Sequence, residues 1–582
     1  RLGLLKMDIL GLRNLTVIWD ACQQIQDTHP CFDINAIAVD DVATYDLFST
    51  GECVGIFQCE SPGMRRLVVD LQPRCFEDII ALLALYRPGP LGSGMVSDFI
   101  SNKSGKTTVV YDLPQLEPIL SDTYGMIVYQ EQVMQIASEV GGFTLGESDM
   151  LRRAMGKKKK DVMDQMKDQF LAGAQKKAIP TQAAQKIFDL CYKFAEYGFN
   201  KSHSAAYAMI SYQTAYLKTH HPKEYVLALM NSILGNTDRM AVYATEAKRM
   251  GIPIVPPNVN VSQYEHHLDQ HRICIGLGCI KGVGEAPVEA IVSSRNLDGP
   301  FESVYDFFRR LSGVNKRVVE HLIKAGALDV LDNDRAKLLG CYEDILEKMQ
   351  VSSRHSHQDQ MGLFQTLDED IYTDILAHSP HQSVSLLALL RCEKELMGDY
   401  LSAHPLDHYR DMWEATTPLA SLDAEQSDVT VMGVLSNIGH RRTKTNRPFS
   451  MGEIEDFTKK ITVLLFDSPK YESLQTVLRD DAIVQLTGTV GVRNGEVSIR
   501  VASATPVSSD LASKACHLDV LDDQALEDMH QIKHVCTLNR GQIPVYFHVQ
   551  AHTIVASKKY WITEAAIPEF EAVLGGQSVW IE

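Results

Sequence analysis

The sequence predicts a multidomain chain that is mainly α, followed by a small β-barrel and a small α/β module at its C-terminal end. Three observations predict it. The chain has 582 residues, too many for one hydrophobic core. From about residue 40 to 250, apolar residues recur at helical spacing, and turn signals such as "RPGP" and "TYG" divide the runs. From about residue 428 the period changes to two, in "VTVMGVLSNI", "KITVLLFD", "AIVQLTGTVGV" and "EVSIRVAS", with Gly and Asn turns between them.

Residues 2 to 10 alternate as a strand, with Leu5, Met7 and Ile9 on one face and Lys6 and Asp8 on the other. Gly11 ends it, and "LRNLTVIWDACQQIQ" follows at helical spacing. "QEQVMQIASEV" and "AAQKIFDLCYKFAEYG" read as amphipathic helices. The proline-rich "GIPIVPPNVNVS" marks a domain boundary, and "YEHHLDQHRICIGL" reads as a hairpin. "IKGVGEAPVEAIVSSRN" then reads as a helix, a G-V-G turn and a second helix, with "NKRVVEHLIKAGALDVL" as a degenerate second copy. Residues 350 to 392 are polar, acidic and uneven, as a linker is. The last segment, 510 to 582, mixes helix and strand periods.

Apolar content of 45% and charged content of 22% are ordinary for a globular protein. No apolar run reaches the roughly 20 residues of a membrane span, and no signal peptide is read. The chain begins at Arg1 inside an alternating run, and is expected to be a fragment lacking an N-terminal part. Its twelve cysteines form no C-x-x-C pair, so the expectation is a reducing cytoplasm with buried thiols. "SGKTT" at 104 to 108 lacks the first glycine of a phosphate-binding loop, and His266, His267 and His271 lack a carboxylate companion.

The net charge is −18, yet residues 141 to 230 hold 14 Lys and Arg against 8 Asp and Glu. Positive charge is therefore confined to one region, as a channel for polyanions requires. "LRRAMGKKKK" carries its peak, with Arg152 and Arg153 on a helix and Lys157 and Lys158 in the turn beyond it. The cluster is either a solvated helix face or a phosphate site. "EYGFNKSHSAAYAMISYQTAYLK" places Tyr197, Asn200, Lys201, Ser202 and His203 just before an aromatic helix: a stacking platform with charged neighbours, or a plain capped helix start. Lys281, Gly282 and Gly284 form a turn that lets backbone amides approach a DNA phosphate, or an ordinary helical hairpin.

Asp8 is either a helix cap or a metal ligand; with Lys6 on the same face, the pair suits phosphoryl transfer. One carboxylate cannot hold two metals, so further ligands would be needed. "QMGLF", with Gln360, Met361, Leu363 and Phe364 in the acidic linker, has the composition of a short docking peptide. The barrel is thin in aromatic residues: Phe449, Phe457 and Phe466 are its candidates, Phe466 also being a candidate for the core, and "HRRTKTNR" offers a basic loop.

Six stretches, "LLKMDILGLRNLT", "GIFQCESPGMRRL", "LALYRPGPLGSGMV", "MIVYQEQVMQIA", "DMLRRAMGKKKK" and "YGFNKSHSAAYA", resemble the C family of bacterial replicative DNA polymerases, that of the DNA polymerase III alpha subunit, over essentially the whole chain. "ELMGDYLSAHPLDHY" is similar to the segment preceding the family's OB domain. The resemblance implies that residues 1–11 end a palm, 12–255 are fingers, and 256–345 are a tandem helix-hairpin-helix gripping duplex DNA. It implies a linker with a sliding-clamp peptide and connecting helices at 346–424, an OB-fold at 425–508, and a clamp-loader tau-binding domain at 509–582. It implies DNA-directed DNA synthesis from dNTPs on primer-template DNA, with two Mg²⁺ ions. Asp8 would be one of three metal-binding aspartates, and Lys6 would contact the incoming phosphates. Arg87, Arg152, Arg153, Lys157, Lys158, Tyr197, Asn200, Lys201 and His203 would line the nucleotide and template side. Gln360, Met361, Leu363 and Phe364 would bind the beta clamp. A proofreading exonuclease subunit would bind outside this chain, which alone is expected to be inactive. The alternatives are an error-prone lesion-bypass paralogue and a non-catalytic DNA-binding scaffold.

Overall fold

The computed structural model describes residues 7, 9, 11–156, 160–194, 198–311, 314–355, 384–422, 426–443, 445–493, 496–507, 516–519, 525–538, 545–549, 552–555, 560, 562, 566–574 and 579–581. The chain divides into two compact units, Arg1–Ala403 and His404–Glu582.

The first unit opens on α1 (Arg13–Thr28), α2 (Val42–Thr50), α3 (Pro62–Leu71), α4 (Phe76–Leu85), α5 (Pro88–Gly92), α6 (Met95–Lys103) and α7 (Glu117–Leu120). It continues through α8 (Gln130–Glu139), α9 (Leu145–Gly156), α10 (Lys160–Lys176), α11 (Thr181–Phe194), α12 (Lys201–His220), α13 (Pro222–Asn231) and α14 (Thr237–Arg249). Short polar residues start several of them. Asp41, Ser61, Asn200 and Asn236 each accept a backbone N–H of the following helix through the side chain.

α12 is the axis of this unit. Its 20 residues span about 30 Å at 1.5 Å each. One face carries hydroxyls that satisfy neighbouring backbone. Ser204 Oγ donates to Ile80 O at 2.7 Å, Ser211 Oγ donates to Phe57 O at 2.9 Å, and Phe57 N donates to Thr214 Oγ1 at 3.1 Å. Near the other end, the buried Lys218 Nζ donates to Glu52 O at 2.6 Å, Val54 O at 2.7 Å and Glu246 Oε1 at 2.6 Å. Loop 52–57 is thus stitched to α12 along its length. A second core, built on α8 to α11, includes a close glycine pair: a Cβ on Gly173 would stand 1.8 Å from Gly141 O.

The proline-rich junction near 255 is not a gap in the core. β1 (Ile254–Val255) pairs in parallel with β3 (Arg272–Cys274), which pairs antiparallel with β2 (His267–Asp269). Ile252 and Val259 are buried on either side of the prolines, and one apolar core runs from α1 and α13 through Phe307 to Leu346. The expected helix before the G-V-G turn is a single 3₁₀ turn, Leu277–Cys279. The chain passes close to other backbone just before it: a Cβ at Gly276 would lie 2.4 Å from Tyr264 O. After the turn come α15 (Glu285–Asp298), α16 (Val304–Arg310), α17 (Lys316–Lys324) and α18 (Arg335–His355). α18 and α19 (Leu386–Met397) reach into the stretch read as linker. α19 returns to this core: Glu393, fully buried, accepts from Arg335 Nη1 at 2.9 Å, and Leu396 and Met397 join the apolar cluster.

The second unit contains the barrel that the period of two predicted. β4 (Val429–Arg442), β5 (Pro448–Glu455), β6 (Lys460–Phe466), β7 (Ile483–Arg493) and β8 (Glu496–Pro506) close in the order β4-β5-β6-β8-β7. Among the described barrel pairs β6 and β8 run parallel and the others antiparallel, and the Tyr471–Val477 helix lies between β6 and β7 in sequence. Val431, Leu435, Ile454, Val463, Leu486 and Ile499 fill the interior. A four-stranded sheet follows, β9 (Cys516–Asp519), β10 (Val545–Val549), β11 (His552–Val555) and β12 (Val579–Ile581), in the order β11-β10-β9-β12. The Ala525–Leu538 and Ile567–Leu574 helices complete this α/β module.

Candidate nucleic-acid interface

Lys6, Asp8, Lys157, Lys158, Tyr197, Gln360, Met361, Leu363 and Phe364 lie outside the described residues. Of the remaining sequence-predicted cations of the fingers, Arg87, Lys201 and His203 meet at the turn before α12, and Arg152 reaches it through Gln130. Asn200 caps that helix, accepting from His203 N at 2.8 Å. Glu131 Oε2 accepts from Lys201 N at 2.9 Å, while Lys201 Nζ lies 3.7 Å from Asp122 and 5.4 Å from the Tyr129 ring. Arg87, at the start of α5, lays its guanidinium 4.2 Å from the Phe199 ring centroid and donates through Nε to Ala84 O at 2.9 Å. Partial burial lowers the pKa of that guanidinium.

Arg152 and Arg153 share one carboxylate. Asp149 Oδ1 accepts from Arg152 Nη2 at 2.7 Å, and Oδ2 lies 2.8 Å from Arg153 Nε. The hydrogen bond from Arg152 and the charge of both arginines hold the Asp149 carboxyl below its ordinary range. Three charges with two positive leave this corner with a net +1. Arg152 also reaches across, donating through Nη1 to Gln130 Oε1 at 3.1 Å.

Phe199, Tyr207 and Phe57 join the sequence-predicted His203 here. Phe199, His203 and Tyr207 recur at i, i+4 and i+8, with ring centroids 5.6 and 4.5 Å apart, and Phe57 continues the row 5.5 Å from Tyr207. The spacing in "FNKSHSAAY" carries the signal for three of these rings. His203 is exposed, and Phe199 is half-buried under Arg87. The surface combines flat rings with cations, the chemistry that takes bases and phosphates together.

Lys281, Gly282 and Gly284 lie on a different element. Gly282 adopts φ +86, the left-handed region that glycine favours, and a Cβ there would meet His321 Nδ1 at 2.9 Å. That imidazole nitrogen donates to Lys281 O, which fixes the turn to α17. Gly284 is the N-cap of α15 and makes no side-chain cap bond.

On the barrel, Phe449 and Phe466 face each other across β5 and β6 with nearly parallel rings 6.3 Å apart and 18° between planes. Phe466 is 43% exposed, so it is not a core residue. Arg441 stands opposite Phe449 in register, and the Arg500 guanidinium lies 5.5 Å from the Phe466 ring. Phe457 is used differently: it packs on Trp413 at 4.9 Å and His404 at 4.6 Å. Of "HRRTKTNR", residues 440–442 are the end of β4 and Lys444 lies outside the described residues.

Three family models match. The bacterial DNA polymerase III alpha subunit finger domain matches residues 14–178, a helix-hairpin-helix motif matches 251–338, and an OB-fold nucleic acid binding domain matches 429–507. The chain is 37% identical to a DNA polymerase III subunit alpha of Pseudomonas aeruginosa, over 97% of this chain and 51% of that protein. It is 36% identical to that of Escherichia coli K12, over 100% of this chain and 52% of the relative. With the Bacillus subtilis protein of the same name the identity is 38%, over 94% and 49%. The chain spans about half the length of the curated relatives it matches. With its finger, helix-hairpin-helix and barrel regions all matched, the chain belongs to the family of bacterial DNA polymerase III alpha subunits.

Proposed function

We propose that this chain supplies the fingers and the DNA grips of a replicative DNA-directed DNA polymerase, a nucleotidyltransferase that extends a primer from dNTPs along a template. The observation that carries this is the meeting of Arg87, Arg152, Lys201 and His203 around the turn at Phe199, from segments far apart in sequence. Template-directed synthesis must neutralise phosphate charge while holding flat bases, and positioning with electrostatics carries most of phosphoryl transfer. Arg153, Asn200, Lys157, Lys158 and Tyr197 would act on the same nucleotide and template.

Asp8 would hold Mg²⁺ together with carboxylates from the part of the family's length that this chain does not span. When bound, the two ions stabilise the attacking and leaving oxygens. Lys6 would face the phosphates of the incoming nucleotide. The turn at Lys281, Gly282 and Gly284 would grip the duplex backbone, and the Phe449–Phe466 face would stack single-stranded template. Gln360, Met361, Leu363 and Phe364 would dock on the sliding clamp, the C-terminal α/β module on the clamp-loader tau subunit, and the proofreading exonuclease outside this chain. The setting would be the cytoplasm; among the described residues no helix is long and apolar enough to cross a membrane.

Primer-template binding tests the carrying observation. Replacing Arg152 and Arg153 with alanine should weaken binding and lower the salt slope by about 0.9 for each phosphate no longer neutralised. An unchanged slope would return the arginines to a solvated helix face. For the chemistry, Asp8→Asn in a chain that includes the palm should abolish nucleotide incorporation; retained incorporation refutes its role.

A further inference from the structure

Arg152 is joined to this turn by a neutral side chain that the function above leaves without a role. Gln130, at the start of α8, makes three bonds. Its Oε1 accepts from Arg152 Nη1 at 3.1 Å, its Nε2 donates to Gly198 O at 3.0 Å, and its backbone N donates to Phe199 O at 2.8 Å. The fit is close on the turn side as well, since a Cβ on Gly198 would stand 3.2 Å from Gln130 Cγ. One carboxamide therefore joins an arginine of α9 to the turn that carries Phe199, Lys201 and His203.

We propose that Gln130 is a positioning residue, whose carboxamide sets the Arg152 guanidinium against the 198–203 turn so that the site's phosphate affinity depends on it. The proposal rests on reading Arg152 as a phosphate contact. Neutrality is the point of the residue type. Asp149 already serves both Arg152 and Arg153, leaving a net +1. A glutamate at 130 would hold Arg152 equally well and cancel that charge; a carboxamide orients it and leaves it available. Fixing a long guanidinium before the ligand arrives also lowers the ordering cost of binding.

The test is a titration of fluorescein-labelled primer-template DNA with the 582-residue chain, at salt between about 50 and 200 mM. Gln130→Met should weaken binding about threefold to tenfold with an unchanged melting temperature and a nearly unchanged salt slope, because no charge is removed. Gln130→Asn, too short to reach both partners, should behave in the same way. In the Arg152→Ala background, Gln130→Met should add nothing, because its effect passes through Arg152. Wild-type binding by both position-130 variants, or additive losses in the double variant, overturns the positioning role while leaving the phosphate reading intact. Wild-type binding by Arg152→Ala alone overturns both.

Discussion

The N-terminal end of α12 and the outer face of the barrel both set rings beside guanidinium groups, and they are built in opposite ways. At α12, the rings and cations come from four separated segments tied by individual hydrogen bonds, with Gln130 and Glu131 as the fasteners. On the barrel, cross-strand register alone brings Arg441, Phe449 and Phe466 into one row, with Arg500 on the next strand. The first arrangement rests on a few individual bonds, while the second is distributed along a closed ladder with many equivalent ones. Single changes behind α12 should therefore reach far, and single changes on the barrel face should stay local.

The largest break is expected at Lys218. Replacing it with methionine leaves the buried Glu246 carboxylate and the carbonyls of Glu52 and Val54 without their shared donor. Losing one partner of a buried pair costs about 3 to 5 kcal/mol, which chemical denaturation would measure. Acid sensitivity should change with it. Burial pushes the Glu246 carboxyl up, but hydrogen bonds from Arg249 and the charge and bond of Lys218 outweigh that and hold it below its ordinary 4.5. A group whose pKa is depressed on folding stabilises the fold above its unfolded value. That contribution is lost as pH falls from about 4.5 through the lower folded value. The Lys218→Met chain should lose less stability over this window than the parent does; an identical acid profile would remove Lys218 from the network.

Next is Gly173→Ala. Its Cβ would stand 1.8 Å from Gly141 O, and backbone cannot yield as a side-chain tip does. Overpacking of this kind costs about 3 kcal/mol and should loosen the core beneath α9, hence Arg152. Limited proteolysis would show new cleavage among residues 113–194 while the barrel stays resistant. Equal protection in both would mean that the α8–α11 core absorbs the methyl group by sliding.

These contrasts explain what the sequence could and could not disclose. Periodicity locates the helices and the barrel, since both depend on neighbours in sequence. The "LRRAMG" and "NKSH" cations are visible as charge, and Asn200 as a cap. Gln130 is not visible, because an amide acquires meaning only through partners 22 and 68 residues away. The packing across the junction near residue 255 is hidden for a related reason. Prolines mark a turn, but only the buried Ile252 and Val259 tell that the core continues past it. The phenylalanines of the barrel are legible as ring candidates, but their duties are not: Phe466 faces outward, while Phe457 anchors Trp413.

Phe466→Ala sharpens the comparison on the barrel side. Removing one stacking ring should weaken binding of a single-stranded oligonucleotide by about 1 to 3 kcal/mol, with little effect on melting because the ring is 43% exposed. Phe457→Ala should do the reverse, lowering the melting temperature while sparing affinity, because its ring is packed between His404 and Trp413. An oligonucleotide titration beside a melting curve separates the two, and a shared phenotype would mean that the face is one structural unit.

The smallest expected effect is that of Arg441→Ala. This side chain is exposed and pairs with Phe449 by register alone, so the fold should not register its loss. If it binds a single-strand phosphate, its removal should reduce the salt slope by about 0.7 and the affinity by about 1 kcal/mol or less. The informative quantity is the additivity with Phe466→Ala. A face built by register should give independent losses, since neither side chain holds the other in place. Coupling as strong as that expected between Gln130 and Arg152 would show that the barrel, too, relies on a fastening bond, and the distinction between the two surfaces would collapse.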